Sequence, residues 1–187
     1  VTVPRRPTLA DGLAPLIVGP TSFALARDRV DQVVSVSEPF IALAILRLLE
    51  LEKTVVEGAA AVPLAALMAG KLPELRGRRV ALILSGGNID PAMLGRVIDK
   101  GLVHDGRLTR FTTVVHDRPG GLAALTRVIA DSGASIRDIV HERAFGGPDV
   151  FAVHAICTVE TRNHSHVAAL RRALRQHGFP TTAARER

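Results

Sequence analysis

The sequence predicts an α/β chain in two parts: a unit built on a parallel sheet, then a smaller ferredoxin-like βαββαβ unit. Three observations carry this. Strand and helix signals alternate over residues 20–101. "RRVALILS" holds five consecutive apolar residues, Val80 to Leu84, between polar flanks, which is the pattern of a parallel strand covered on both faces. After "GLVHDGRLT" the pattern changes to amphipathic strands around two helices. The division falls between residues 103 and 108, giving units 1–104 and 105–187.

The elements follow in order. Residues 1–19, with prolines and a "DG" pair, read as an irregular lead-in. "TSFALARDR" is a short helix with Thr21 as its N-cap, and "VDQVVSV" a short strand. "SEPFIALAILRLLELEK" opens a helix: Ser37 caps it, Glu38 sits in the first turn and Pro39 lies near the first position. Ile41, Ala44, Ile45, Leu48 and Leu49 fall at helical spacing, so one face is expected to be buried. "VVEGAAAVPLAALMAGK" gives a short strand, a Glu-Gly turn and an Ala-rich helix ending at Gly70. After the 80–84 strand and the Gly86-Gly87 turn, Asp90 caps a helix with Pro91 first, running to Gly101.

In the second unit "RFTTVVHD" is a strand. "PGGLAALTRVIADSG" is a helix with Leu122, Leu125, Val128 and Ile129 on one stripe. "ASIRDIVHERAF" and "DVFAVHAICTVET" alternate like paired strands joined at "GGPD". "NHSHVAALRRALRQHG" is a second helix, and "FPTTAA" a short last strand. The strand "FAVHAICTVE" is apolar enough to need a neighbour.

Composition limits the function classes. Of 187 residues, 47% are hydrophobic, yet only six are Phe and none is Trp or Tyr, so the core must be Ala, Leu, Val and Ile. Cys157 is the only cysteine, which leaves no disulfide framework and no cysteine metal site. Its neighbours mark it as a buried strand residue. No apolar run reaches the ~18 residues of a membrane span, and the N-terminus shows no apolar signal region. A cytoplasmic location is expected. The chain opens on Val1, through an unusual start codon or as a piece of something longer. The net charge is +6, but the arginines are scattered along helices, so nucleic-acid binding is not expected. His164 and His166 are two apart and share no helix face, and His141 and Glu142 point to opposite sides of a strand. No metal site is expected.

Three motifs carry candidate chemistry. Ser85, Gly86 and Gly87 end the apolar strand; they form either a ligand rim or a strand-to-helix turn that needs glycine anyway. Glu57 beside Gly58 either reaches into a cleft or serves as a helix-start carboxylate favoured by the dipole. "HDRPGGL" ends a strand and starts a helix, with Asp117, Pro119, Gly120, Gly121 and Leu122 around free N–H groups. It is either a carboxylate site or a plain turn.

The segments "TLADGLA", "VDQVVSVSE", "VVEGAAAVPLAAL", "VALILSGGNID" and "DRPGGLAALTRVIADSGASIRDIVHERAF" stand in an order that resembles the threonine ammonia-lyases (threonine dehydratases), in the form with one C-terminal ACT domain. The resemblance covers essentially the whole chain. It implies that residues 1–104 are the C-terminal portion of a fold-type II pyridoxal phosphate domain, and 105–187 an ACT regulatory domain. Such enzymes convert threonine to 2-oxobutanoate and ammonia, on the way to isoleucine. The family places the "SGGN" serine at the pyridine nitrogen, and Ser85 matches it. A hydroxyl there makes a weaker electron sink than a carboxylate would, which suits elimination of water. Glu57, Gly86 and Gly87 would lie near the cofactor. The usual Glu-Gly-Ala-Gly pattern is broken here, because Ala60 stands at the second glycine.

The family's Schiff-base lysine motif and glycine-rich phosphate loop do not occur in these residues, and Lys53, Lys71 and Lys100 stand in other contexts. The chain alone is therefore expected to hold no pyridoxal phosphate and to be inactive. The missing half as a separate chain is then an expected partner. ACT domains bind amino acids at the "DRPGGL" turn, often between two copies. That implies a homo-oligomer through this domain and an amino-acid effector, with isoleucine or valine as the first guesses. The competing reading is a non-catalytic amino-acid sensor with a vestigial front segment.

Overall fold

The computed structural model describes residues 6–142 and 151–183. It separates into two units, Val1–His104 and Asp105–Arg187. The "GGPD" turn and the end of "HERAF" lie outside the described residues.

The front unit is built on helices: α1 (Pro20–Arg27), α2 (Glu38–Arg47), α3 (Gly58–Met68) and α4 (Pro91–His104). α2 is its centre. Ile41 through Leu46 are all buried, so the expected single apolar face is instead burial all round, with α3 and α4 packed against it. Ile41, Ala44, Ile45, Ala61, Ala65 and Val97 share one apolar cluster. A π-helical turn, Leu48–Glu52, continues α2 and closes on Lys53 in the left-handed region, φ 55°.

Several boundaries differ from expectation for local reasons. α1 begins at Pro20 with Gly19 as its cap, not Thr21, because proline's fixed φ suits the first helical position. α4 runs past Gly101 to His104. Gly101 is not a stop. A Cβ there would lie 3.0 Å from the Ala42 carbonyl oxygen and 3.1 Å from the Leu46 Cβ, so this glycine lets α4 approach α2 closely. At the other end of α4, Asp90 caps as expected, its Oδ1 accepting from the Met93 amide at 3.0 Å.

The parallel sheet of the front unit is corrected. Residues 30–36, 54–56 and 80–84 are not strands, and every described strand lies in the second unit. A strand exists only through a neighbour's ladder, and among the described residues no backbone bond joins these segments; one lies just beyond two of them, from Glu57 N–H to the Gly86 oxygen, 3.1 Å.

The second unit is β1 (Leu108–His116), α5 (Gly121–Asp131), β2 (Ser135–Glu142), β3 (Ala152–Glu160), α6 (His164–Gln176) and β4 (Thr182–Ala183). This is the ferredoxin-like βαββαβ order, in one antiparallel sheet, β2-β3-β1-β4. β3 is central, so the strand expected to seek a neighbour has both within its own unit. Phe111 and Val115 of β1 and Val153, Ala155, Cys157 and Val159 of β3 point to the core, against Leu125 and Ile129 of α5 and Leu170 and Leu174 of α6. Thr113 fixes the last segment by donating to the Pro180 oxygen at 2.9 Å.

His166 is a core histidine. Its Nδ1 accepts from the Arg162 amide at 3.1 Å, which leaves Nε2 to donate to the Ser132 oxygen at 2.8 Å. It ties the end of α5 to the start of α6. Asn163 caps α6 by accepting from the His166 amide at 2.9 Å.

Candidate functional site

The first site forms around the Glu57 carboxylate. Glu57 is the N-cap residue of α3, but its side chain caps nothing. It turns toward Gly86, where an added Cβ would lie 2.5 Å from Glu57 Oε1. An added Cβ at Gly12 would lie 3.9 Å from the same oxygen. At Gly87 it would come within 3.1 Å of the Val55 oxygen. Glycine at 86 thus serves one clear end: it admits this carboxylate. Ser85, next to it, is exposed and has no hydrogen bond among the described residues.

Gly58 has a second, steric reason. Its Cβ would overlap the Leu9 carbonyl, so only glycine lets the lead-in chain cross the start of α3. Ala60, where the family pattern has its second glycine, is buried in the apolar cluster, so the close backbone approach is made at Gly58.

Sequence reasoning missed the lead-in loop. Residues 8–10 are held by Glu38: Thr8 Oγ1 donates to Glu38 Oε1, and the Leu9 amide donates to Oε2 at 2.8 Å. The Ala10 amide closes on Thr8 Oγ1 at 3.1 Å. Glu38 reads as a first-turn carboxylate, and it is also the anchor of the loop beside the site. The available signal was the threonine of "TLADG", a hydroxyl spaced from an acid at a helix start, too common a pattern to single out.

The second site is the β1–α5 turn. Gly120 caps α5 with φ 93° and open space around it. α5 therefore starts at Gly121, later than the expected Pro119–Gly120, because a left-handed residue ends the turn first. A Cβ on Gly121 would overlap the His116 carbonyl oxygen, so this glycine seats α5 on the end of β1. The Gly121 amide donates to the Arg118 oxygen at 3.0 Å and the Ala124 amide to the Gly120 oxygen at 2.9 Å. The amides of Leu122 and Ala123 have no backbone partner among the described residues. The Asp117 amide donates to the Phe151 oxygen at 2.8 Å, and the Arg118 guanidinium stands 5.6 Å over the exposed Phe151 ring. Asp117, Pro119, Gly120, Gly121 and Leu122 are thus one turn, whereas Ser85, Gly86, Gly87 and Glu57 belong to the other unit.

Cys157 is fully buried in β3. Burial, helped by the Asp138 carboxylate, pushes its thiol from 9.0 up to about 11, which makes it a packing residue and not a nucleophile. Among the described residues no group of three or more His, Cys, Asp or Glu is set to hold a metal ion. No described helix is long and apolar enough to cross a membrane.

Two family models match parts of the chain. Residues 1–86 match the family of pyridoxal-phosphate dependent enzymes, and residues 109–179 match the ACT domain. The first match lies within the first unit and the second within the second. It is 41% identical to an L-threonine ammonia-lyase of Thermotoga maritima, over 95% of this chain and 44% of the relative. It is 43% identical to an L-threonine ammonia-lyase of Geobacter sulfurreducens, over 89% of this chain and 41% of the relative. The chain therefore spans less than half the length of these relatives. The resemblance read from the motifs, to the C-terminal part of a threonine ammonia-lyase, stands. A solved ACT domain from the GTP pyrophosphokinase of Chlorobium tepidum is 20% identical with a TM-score of 0.32, covering 41% of this chain and 91% of that one, a likeness too slight to support more.

Proposed function

We propose that the chain is the C-terminal, regulatory-domain-bearing part of a threonine ammonia-lyase, whose complete form turns threonine into 2-oxobutanoate and ammonia in the cytoplasm. One observation carries the reading. The Glu57 carboxylate is seated on Gly86 beside the exposed Ser85, in a chain 41% identical across 95% of its length to an enzyme of that name. Pyridoxal phosphate fits what these residues offer on one side. Ser85 presents a hydroxyl free of other partners, and Gly86 and Gly87 carry no side chain that would shield it. When bound, the cofactor supplies the electron sink for the elimination. Ser85 would donate to or accept from the ring nitrogen without fixing a charge on it. Glu57 would supply a negative charge to the same rim. The residues that hold the phosphate and form the Schiff base lie outside these 187.

In the second unit the β1–α5 turn takes the carboxylate of an amino-acid effector on the Leu122 and Ala123 amides, with isoleucine or valine as first choice. A second copy, set against edge strand β2, would cover the half-exposed Ile136 and Val140 and complete the site.

The test joins this chain to the part of the Thermotoga maritima enzyme that lies outside the match. The folded chimaera should form 2-oxobutanoate from threonine, and Ser85→Ala should lower turnover about tenfold, on the scale of one hydrogen bond. A folded chimaera with no turnover overturns the catalytic reading. Calorimetry with isoleucine, valine, threonine and serine tests the other half. No heat from any of them at millimolar concentration, with the protein dimeric, leaves the ACT domain as a dimerisation unit only.

A further inference from the structure

Residues 8–13 form a strap that crosses the start of α3. Glu38, half-buried in the first turn of α2, gives both carboxylate oxygens to it: Oε1 accepts from the Thr8 hydroxyl and Oε2 from the Leu9 amide at 2.8 Å. The Thr8 oxygen in turn accepts from the Ala10 amide at 3.1 Å, so one hydroxyl both ties the strap and closes its turn. Bonds to an ionised group are the stronger kind. Beyond this tie the Leu9 carbonyl lies where only glycine at 58 leaves room, and Ala10 joins the apolar cluster. The strap then makes one short helical turn, Asp11–Leu13, closed by the Leu13 amide on the Ala10 oxygen at 2.9 Å. That turn sets Gly12 against α3: an added Cβ would lie 3.3 Å from the Ala59 Cβ and 3.9 Å from Glu57 Oε1.

The Glu57 carboxylate has two glycine neighbours, Gly86 close and Gly12 further off. Among the described residues no side-chain hydrogen bond or ion pair of its own holds it. Its place therefore depends on the backbone around it. An ionised carboxylate without a partner turns out to water unless the chain beside it denies the space. On the Gly86 side the chain is tied directly, through the Glu57 amide on the Gly86 oxygen at 3.1 Å. On the Gly12 side it is tied through the strap. We infer that Glu38 is a positioning residue for the Glu57 carboxylate, acting through Thr8 and the strap. This rests on the reading of the Glu57–Ser85 rim proposed above. The helix dipole alone would favour an acid at position 38, but a dipole needs one charge and no particular geometry. The fit of two oxygens to a hydroxyl 30 positions away and an amide 29 away is a further requirement, and it is met.

The experiment uses Glu38→Gln and Thr8→Val, with Thr8→Ser as the conservative control, in the 187-residue chain. In Glu38→Gln one acceptor becomes an amide group that faces a donor, and Thr8→Val keeps the shape and loses the hydroxyl. Both should leave the circular dichroism unchanged. Both should speed hydrogen exchange of the Leu9, Leu13 and Glu57 amides about tenfold, on the scale of one lost hydrogen bond, and leave the Ala44 and Ile45 amides as they were. Thr8→Ser should exchange like the unaltered chain. In the chimaera with the Thermotoga maritima enzyme, Glu38→Gln and Thr8→Val should lower kcat about tenfold with KM unchanged, and Thr8→Ser should recover most of that loss. Adding either change to Glu57→Gln should lower kcat no further, since both act through one group. Faster exchange at Leu9 with the Glu57 amide unmoved would overturn the inference. So would equal exchange in Thr8→Val and Thr8→Ser, faster exchange at Ala44 as well, or losses that add to that of Glu57→Gln. Coupled exchange of Leu9 and Glu57, together with an unaltered chimaera that has no turnover, would support the positioning of Glu57 while overturning the catalytic reading.

Discussion

The two glycines at the start of α5 separate two kinds of requirement, and alanine at each measures them apart. At Gly120 the obstacle is conformational: φ is 93°, with open space around an added Cβ. Left-handed backbone costs a non-glycine residue about 1–2 kcal/mol, and the stiffer unfolded chain returns about 0.4–1, so Gly120→Ala should cost about 1 kcal/mol. At Gly121 the obstacle is main chain. The new Cβ overlaps the His116 oxygen and lies 3.3 Å from its carbon, and neither atom is the end of a flexible side chain. Relief requires α5 to lift from the end of β1. That carries overpacking strain of about 1–3 kcal/mol and disturbs the Asp117 amide bond to Phe151, about 1 more. Gly121→Ala should therefore cost about 3 kcal/mol. It would also unseat the turn, so it is a poorer probe of effector binding than Gly120→Leu, which keeps that contact. The chain has no Trp or Tyr, so urea unfolding is followed by far-ultraviolet circular dichroism, and β3 amide exchange reports this unit alone. With a slope of about 1–3 kcal/mol per molar urea, the midpoint should fall by on the order of 1–3 M. A Gly121→Ala variant no less stable than Gly120→Ala would refute the steric account.

Two further tests concern the same unit. The folded state keeps the Cys157 thiol protonated to about pH 11, while the unfolded thiol ionises near 9.0. Between those values the unfolded state binds fewer protons, so stability falls as pH rises, by on the order of 3 kcal/mol in all. Urea midpoints from pH 8 to 11 should slope downward, and Cys157→Ala, less stable throughout, should lose this part of the slope; an unchanged slope would count against the buried thiol as its source. Asn163→Ala removes the α6 cap and should cost about 1 kcal/mol, and Asn163→Asp should retain most of it, read as shifts in the same urea midpoint.

The sequence was most legible where structure is local. Asp90 with Pro91, and Asn163 before α6, are signals whose partners lie three residues away. The second unit was legible because its alternation and helix periods close into one small sheet. Gly101 was misread because a glycine that ends a helix and one that lets two helices touch look alike until the neighbour is known. The apolar runs at 30–36 and 80–84 have the pattern of strands, but a strand is a property of a pair, and neither run has its pair among the described residues. At the site, the Glu57–Gly86 contact spans 29 positions, and only the family resemblance brought the two together in advance. The Thr8–Glu38 anchor spans 30 and had no such help.

The order of the sheet has a consequence for how the second unit is made. β1 ends at His116, and its principal partner β3 begins at Ala152. At roughly 5–20 residues per second of synthesis, β1 waits on the order of seconds for β3, although antiparallel pairing itself takes about microseconds. Emergence from the ribosome, and not the pairing reaction, then sets the pace of assembly. During that interval α5 is the only following element able to form on local bonds, and the fit of Gly121 under His116 gives it a place to rest. The strand β4 pairs with the middle of β1 through Phe111 and Thr112, so the sheet gains this edge only after Thr182 and Ala183 have left the tunnel. A stalled or nicked chain ending before Pro180 would release a unit with β1 bare on one side.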